Sequence, residues 1–152
     1  MNNRYICRGK RKDNNEWVTG YYVFQRKRSG VFGQMISELD SDRHLIIDLR
    51  GNLHEVVPET VGQCTGRTDK ISKLMFEGDV VKAVGYIFIV KFGKCGGVAN
   101  DENYGYMGYY LDGFDSMTKA ALRFGLRNDI CYFTDIEVIG NIHDNDLLEV
   151  ER

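Results

Sequence analysis

The chain has 152 residues, 43% of them hydrophobic, with four cysteines, one proline and a formal net charge of −2 at pH 7. That is enough apolar material for one domain or two small lobes whose core needs neither disulfide nor metal. No apolar run approaches the roughly 18 to 20 residues of a membrane helix, and the N-terminus MNNRYICRGKRK lacks an apolar signal segment, so a cytoplasmic protein without membrane contact is expected.

Residues 4–8 (RYICR) and 17–24 (WVTGYYVF) are rich in aromatic and β-branched residues and read as two strands. The polar run 10–16 between them suits a hairpin loop, because Asp and Asn tolerate turn geometry. Trp17 is the expected anchor of the N-terminal core, and Gly20 in mid-strand signals a bulge or the close approach of another backbone. A charged turn at 25–30, a weaker strand at 31–37 and a polar loop at 38–43 follow. HLIIDL (44–49) and LHEVV (53–57) then flank Arg50-Gly51-Asn52, a short-range hairpin signal. His44 and His54 could face each other there, but with no third ligand they are expected to be ordinary surface or core packing residues and not a metal site.

Pro58 cannot donate to a sheet ladder and ends the N-terminal strand system. Residues 60–65 form a short alternating strand, 66–70 a turn, and 71–76 either a helical turn or the start of a strand. Glu77-Gly78-Asp79 turns the chain into Val80-Val81, with Asp79 expected to bind nearby backbone N–H groups and Gly78 to supply a positive φ. Residues 83–92 (AVGYIFIVKF) read as one long central strand, 93–97 as its hairpin loop, and 104–111 as the returning strand. Met117, Ala120, Ala121 and Phe124 share a face at helical spacing, so residues 116–124 are the one predicted helix, capped by Asp115 or Ser116 and stopped by Gly125. Short strands at 130–133 and 136–142 complete the pattern.

The fold class predicted is mainly β. It has two small β-barrel or sandwich-like lobes, at residues 1–57 and 83–145, joined by the turn-and-strand segment 58–82 and followed by an acidic tail at 146–152. One compact domain is the alternative. A glycine-aspartate turn feeding a valine-rich strand is also found in SH3-like barrels, an analogy that suggests such a second lobe.

Cys7, Cys64, Cys95 and Cys131 are widely spaced, with no C-x-x-C pair and no histidine at ligand spacing, so reduced thiols and no metal or other cofactor are expected. Charge is uneven. Residues 1–28 hold eight Lys or Arg against two acids, whereas residues 101–152 hold eleven acids against four bases. Lys10, Arg11, Lys12, Arg26, Lys27 and Arg28 are therefore the candidate nucleic-acid contacts, with Tyr5, Trp17, Tyr21 or Tyr22 as stacking platforms. The competing reading is a solvated edge whose cations discourage edge-to-edge aggregation, or charged edges that meet within the chain or between subunits.

The segments Arg8-Gly9-Lys10, Trp17 to Tyr21, Pro58 to Gln63 with Thr65-Gly66, Phe76 to Val81 and Glu137 to Asn145 occur together and in this order. In these pieces, spread over nearly the full length, the chain resembles the YopX family of phage and prophage proteins. It departs from that pattern at residues 70–75, where Ile71, Leu74 and Met75 occupy a stretch that often carries a Gly-containing turn. The resemblance implies a mostly β fold, a bacterial or phage setting and a homo-oligomer, and it implies no activity. The motif positions Trp17, Gly20, Pro58, Glu59, Gly62, Gly66, Glu77, Gly78, Asp79, Gly140 and Asn141 are expected to be mainly architectural.

Three functions follow in order. The first is a non-catalytic accessory protein that binds an unknown protein partner or itself, which the many Tyr residues suit. The second is nucleic-acid binding through the basic hairpin. The third is an enzyme using Glu77 and Asp79, for which no histidine or third carboxylate stands at usable spacing.

Overall fold

A computed structural model describes residues 3–26, 41–95, 106–113, 123–125 and 135–144. The predicted strand at 31–37, the strand at 130–133, the acidic tail and Cys131 lie outside them. The chain divides into two compact units, residues 5–63 and residues 1–4 with 64–152. The described elements are almost all antiparallel strands, so the fold is mainly β, as expected.

In the N-terminal unit, β1 (Cys7–Lys10) and β2 (Trp17–Gln25) form the first hairpin. Residues Asn3–Tyr5 are a 3-10 turn and not part of the strand, because pairing starts only at Cys7, opposite Gly20 on one side and Gln63 on the other. β3 (Arg43–Asp48) pairs with β2 from Gly20 to Gln25, and β4 (Leu53–Glu55) returns along β3. Asp48 holds the intervening turn, accepting hydrogen bonds from the N–H groups of Arg50 and Asn52, both at 2.9 Å. Gly51 supplies its positive φ of 89°.

Beyond β4 the chain comes back to β1. Val56 bridges Arg11, Lys12 N–H donates to the Glu55 carbonyl (2.9 Å), and Val57 N–H donates to the Lys10 carbonyl (2.8 Å). These bonds close the four strands into a barrel-like ring. A methyl group at Gly9 would meet Ile46, Val61 and Val56 at 3.3–3.4 Å, so these residues face one interior, where Ile46 and Val56 are fully buried. Pro58 opens a 3-10 turn, Pro58–Thr60, after which β5 (Gly62–Thr68) begins by pairing Gly62 and Gln63 with β1.

β5 continues into the C-terminal unit, where Cys64 and Thr68 pair with β6 (Leu74–Phe76). The open question at 71–76 is thus resolved as a turn followed by a strand. β7 (Asp79–Ala83), β8 (Tyr86–Cys95), β9 (Tyr106–Gly113), β10 (Arg123–Gly125) and β11 (Glu137–Asn141) form a five-stranded sheet in the order β10-β9-β8-β7-β11. Its core is Met75, Val81, Ala83, Phe88, Val90, Leu111, Ile136 and Val138.

Three expectations are corrected here. The long strand predicted at 83–92 is two strands, because Val84 and Gly85 both take positive φ (51° and 82°) and fold the chain back. Residues 93–95 continue β8 instead of forming a loop. The predicted helix at 116–124 fails at its C-terminal end, where Arg123–Gly125 pair with Tyr110–Asp112 of β9; its earlier residues lie outside those described. Sheet pairing outweighs a weak local helical period there. Among the described residues no helix is long and apolar enough to cross a membrane.

Candidate interaction surface

The basic residues around the tip of the first hairpin are engaged within the N-terminal unit. Lys10 stands opposite Trp17 in the β1–β2 register, and Arg8 lies two residues before Lys10 on the same face. The Arg8 guanidinium sits 4.5 Å from the Trp17 ring centroid and the Lys10 ammonium 5.4 Å, within cation–π range. Lys10 is largely buried, and its N–H donates to the Thr60 hydroxyl at 2.8 Å. Arg11 grips Asp13 through two nitrogens, which raises the pKa of Arg11 and lowers that of Asp13, mainly through the shared hydrogen bond. Lys12 and Arg43 both pair with Glu55, at 2.7 and 3.0 Å. The bond from Lys12, with that from Arg43, holds the Glu55 carboxyl below its ordinary range despite partial burial.

Arg26 is exposed at the other end of β2, nine residues beyond Trp17. At ~3.3 Å per strand residue that is about 30 Å away. Arg26 and the Arg8–Lys12 group therefore mark opposite ends of one ribbon. Lys27 and Arg28 lie outside the described residues.

A feature not anticipated from the sequence lies where β2 and β3 outrun β1. Register pairs Tyr22 with Ile46 and Phe24 with His44, so strand alternation puts all four on one face. Inside the closed ring that face holds buried Ile46. Past its end, Tyr22 and Phe24 are 38% and 46% exposed. His44 Nδ1 and the Tyr22 hydroxyl share a hydrogen bond across 2.5 Å, its direction set by the tautomer, and the Phe24 and His44 ring centroids are 5.0 Å apart. Burial, with the Cys7 side chain nearby, pushes the Tyr22 hydroxyl pKa up. On the opposite face Tyr21, Ile47 and Leu53 align across three strands, with Tyr21 and Leu53 exposed. The sequence signal was there in Tyr22-x-Phe24 and His44-x-Ile46, but only the β1 boundary shows which part of the ribbon is uncovered.

His54 is opposite Ile46, and its Nε2 lies 2.9 Å from Asp48, so the two strand histidines have separate partners and do not face each other. The hydrogen bond with His54, then those from Asn52, hold the Asp48 carboxyl well below the usual carboxylate range. Among the described residues no group of three or more His, Cys, Asp or Glu is placed to hold a metal ion. Cys7 and Cys64 are not in a disulfide, and Cys64 is buried.

In the C-terminal unit Asp79 and Asn141, with Gly78 beside Asn141, form one buried cluster. Asp79 has no exposed surface; it accepts from Phe76 N–H (2.8 Å) and from the Asn141 side chain (3.2 Å). Asn141 in turn accepts from His143 N–H (3.0 Å). Gly78, at φ 85°, donates to the Val90 carbonyl and accepts from Ile142 N–H. Gly140 pairs with Val80 beside a register irregularity at Ile139. Glu77 is half-buried in the turn. Gly66 takes φ 78° against the Arg4 side chain. Pro58 and Glu59 lie in the 3-10 turn of the N-terminal unit, and Gly62 stands there at the start of β5 opposite Arg8.

A second structural carboxylate, Asp69, had no place in the sequence reading. Its Oδ1 accepts from Ile71 and Lys73 N–H and its Oδ2 from Val138 N–H, tying the 69–73 turn to β11. Burial alone would raise its pKa, yet the N–H groups of Lys73, Val138 and Ile71 outweigh it and leave the pKa below the ordinary value. A depressed native pKa means stability that is complete above the unfolded value, about 3.9, and lost as pH falls through the native one. Asp69→Asn is therefore expected to cost ~1–3 kcal/mol at neutral pH and to flatten the acid limb of the stability curve. Urea unfolding of both proteins between neutral and acid pH measures this; parallel curves would remove Asp69 from that limb.

No curated protein matches the chain. The family model described as YopX protein matches residues 7–149, almost the whole length. On that match the chain belongs to the YopX family.

Proposed function

We propose that this YopX-family chain is a non-catalytic accessory protein of a phage or prophage, acting in the bacterial cytoplasm by binding a protein partner or a second copy. The observation that carries this reading is the aromatic end of the β2–β3 ribbon, where Tyr22 and Phe24 flank His44 with much of their surface in solvent. Aromatic side chains supply large contact area at small entropic cost and are enriched at interfaces. Asp79 of the enzyme reading supports it too, since both of its oxygens serve backbone and side-chain donors.

Sedimentation velocity over a concentration series, followed by affinity capture with quantification against a variant, tests it. The double variant Tyr22→Ser with Phe24→Ser is expected to melt like the wild type and to lose at least tenfold in association, about 1.4 kcal/mol. A wild type with neither self-association nor a partner that the variant loses would count against it.

Nucleic-acid binding remains the second reading, supported by the density of cations in residues 1–28. Weighing against it are the pairing of Arg11, Lys12 and Arg43 with Asp13 and Glu55 and the distance of Arg26 from the hairpin's other basic end. Fluorescence anisotropy against labelled DNA and RNA separates the readings, since phosphate contacts weaken steeply with salt.

A further inference from the structure

β2 is flanked on both sides for only part of its length. β1 runs along one side from Trp17 to Gly20, while β3 continues along the other from Gly20 to Gln25. Ahead of Cys7 the chain is in the 3-10 turn Asn3–Tyr5, so β1 does not extend past Gly20. Among the described residues no strand pairs with β2 on that side from Tyr21 to Gln25.

The register fixes which backbone groups face that open lane. Val56 N–H donates to the His44 carbonyl and Asp48 N–H to the Asn52 carbonyl, so alternate residues of β3, His44, Ile46 and Asp48, point their N–H and C=O groups at β4. The residues between them bond β2, which they meet at Tyr21, Val23 and Gln25. The N–H and C=O groups of Tyr22 and Phe24 therefore point into the lane, as those of Gly20 point at Cys7.

Proteins usually blunt such an edge with lysine, proline or a bulge. Tyr21-Tyr22-Val23-Phe24-Gln25 has neither charge nor proline, consists mostly of strong strand formers, and keeps an unbroken register with β3. It is a template for one more strand.

The borders of the lane limit what can fill it. Alternating donors and acceptors are met by extended backbone. The added strand's side chains on one face would lie beside the exposed rings of Tyr22 and Phe24, which favours apolar residues at alternate positions. Exposed Arg26, at the end away from β1, favours an acidic residue there. The β2 strand of a second copy fits poorly. Pairing Tyr21 with the copy's Gln25 would put the copy's Arg26 where Cys7 already pairs with Gly20.

We infer that this edge of β2 takes one extended segment of a partner protein as an added antiparallel strand, apolar at alternate positions and acidic beside Arg26. The inference rests on the aromatic end being the interaction surface, and it names the partner by its chemistry.

Amide hydrogen exchange on the full-length protein, read by NMR, tests it. Without a partner, the Tyr22 and Phe24 amides are expected to exchange at least tenfold faster than those of Tyr21, Val23 and Gln25, which bond β3. The probe is an acetylated, amidated peptide, Asp-Val-Thr-Val-Thr-Val, added up to about 1 mM. It is expected to slow exchange at Tyr22 and Phe24 at least tenfold. The same peptide N-methylated at every residue keeps its side chains but cannot donate, and is expected to bind at least tenfold more weakly. If the Tyr22 and Phe24 amides are already as slow as their neighbours in dilute protein, the lane is filled and the inference is wrong. A peptide that leaves them unprotected overturns it too. Protection that rises with protein concentration alone would make the added strand a second copy, against the inference. Equal binding of both peptides would place the contact on the aromatic rings, overturning strand addition while leaving the proposed function standing.

Discussion

Gly20→Ala is expected to disrupt the N-terminal unit outright. The added Cβ would lie 2.0 Å from the Ile47 carbonyl oxygen, 2.7 Å from its carbon and 2.9 Å from the Asp48 Cα. All three are backbone atoms within the β2–β3 ladder, so no rotamer change can make room. Relief requires β3 to move away from β2, which breaks the pairing from Gly20 to Gln25 and with it the ring around Ile46 and Val56. A loss of more than ~3 kcal/mol is expected, read as a lowered urea midpoint and loss of the Trp17 environment in near-ultraviolet circular dichroism. Gly51→Ala is the control. Gly51 has φ 89° but open space around it, so only the backbone penalty of about 1 kcal/mol applies. If the two variants melt alike, the close approach at Gly20 is wrong.

Asp79→Ala is expected to be about as damaging, for a different reason. Truncation leaves Phe76 N–H and the Asn141 amide buried without the acceptor they use, and it opens a cavity where no surface was exposed. Two orphaned donors together cost about 3–5 kcal/mol. Glu77→Gln in the same turn should stay within about 0.5 kcal/mol of wild type, because Glu77 is only half-buried. A double-mutant cycle with Asn141→Ala isolates the bond that spans the chain from β7 to β11. If Glu77→Gln proved the more damaging change, or if the cycle showed no coupling, Asp79 would not be the clamp of this turn.

Much of the fold was legible because its signals are local. Alternating aromatic and β-branched residues marked the first hairpin, the His44–Leu49 and Leu53–Val57 arms, and the last strand at 136–142, each to within a few residues. The Gly-Asp and Gly-Asn turns declared themselves by residue type, and Gly20 by its position in mid-strand. Where local signals competed, the reading failed. Val84 concealed a turn because a β-branched residue argues for strand, and the helical period before Gly125 ran into residues that pair with β9.

The candidate surfaces were less legible, since burial is not a local property. By itself the sequence determined the strand periodicity, the turn chemistry, the uneven charge and the family. Only the tertiary structure decided that Glu55, 43 residues from Lys12, answers the basic hairpin tip. It also decided that Asn141, 62 residues from Asp79, completes the buried clamp, and that Tyr22 and Phe24 continue an interior face beyond the strand that would cover it. Hydrogen bonding and burial act through space, whereas a propensity reads only its neighbours along the chain. Partners that meet by strand pairing across tens of residues therefore leave no mark in either segment alone.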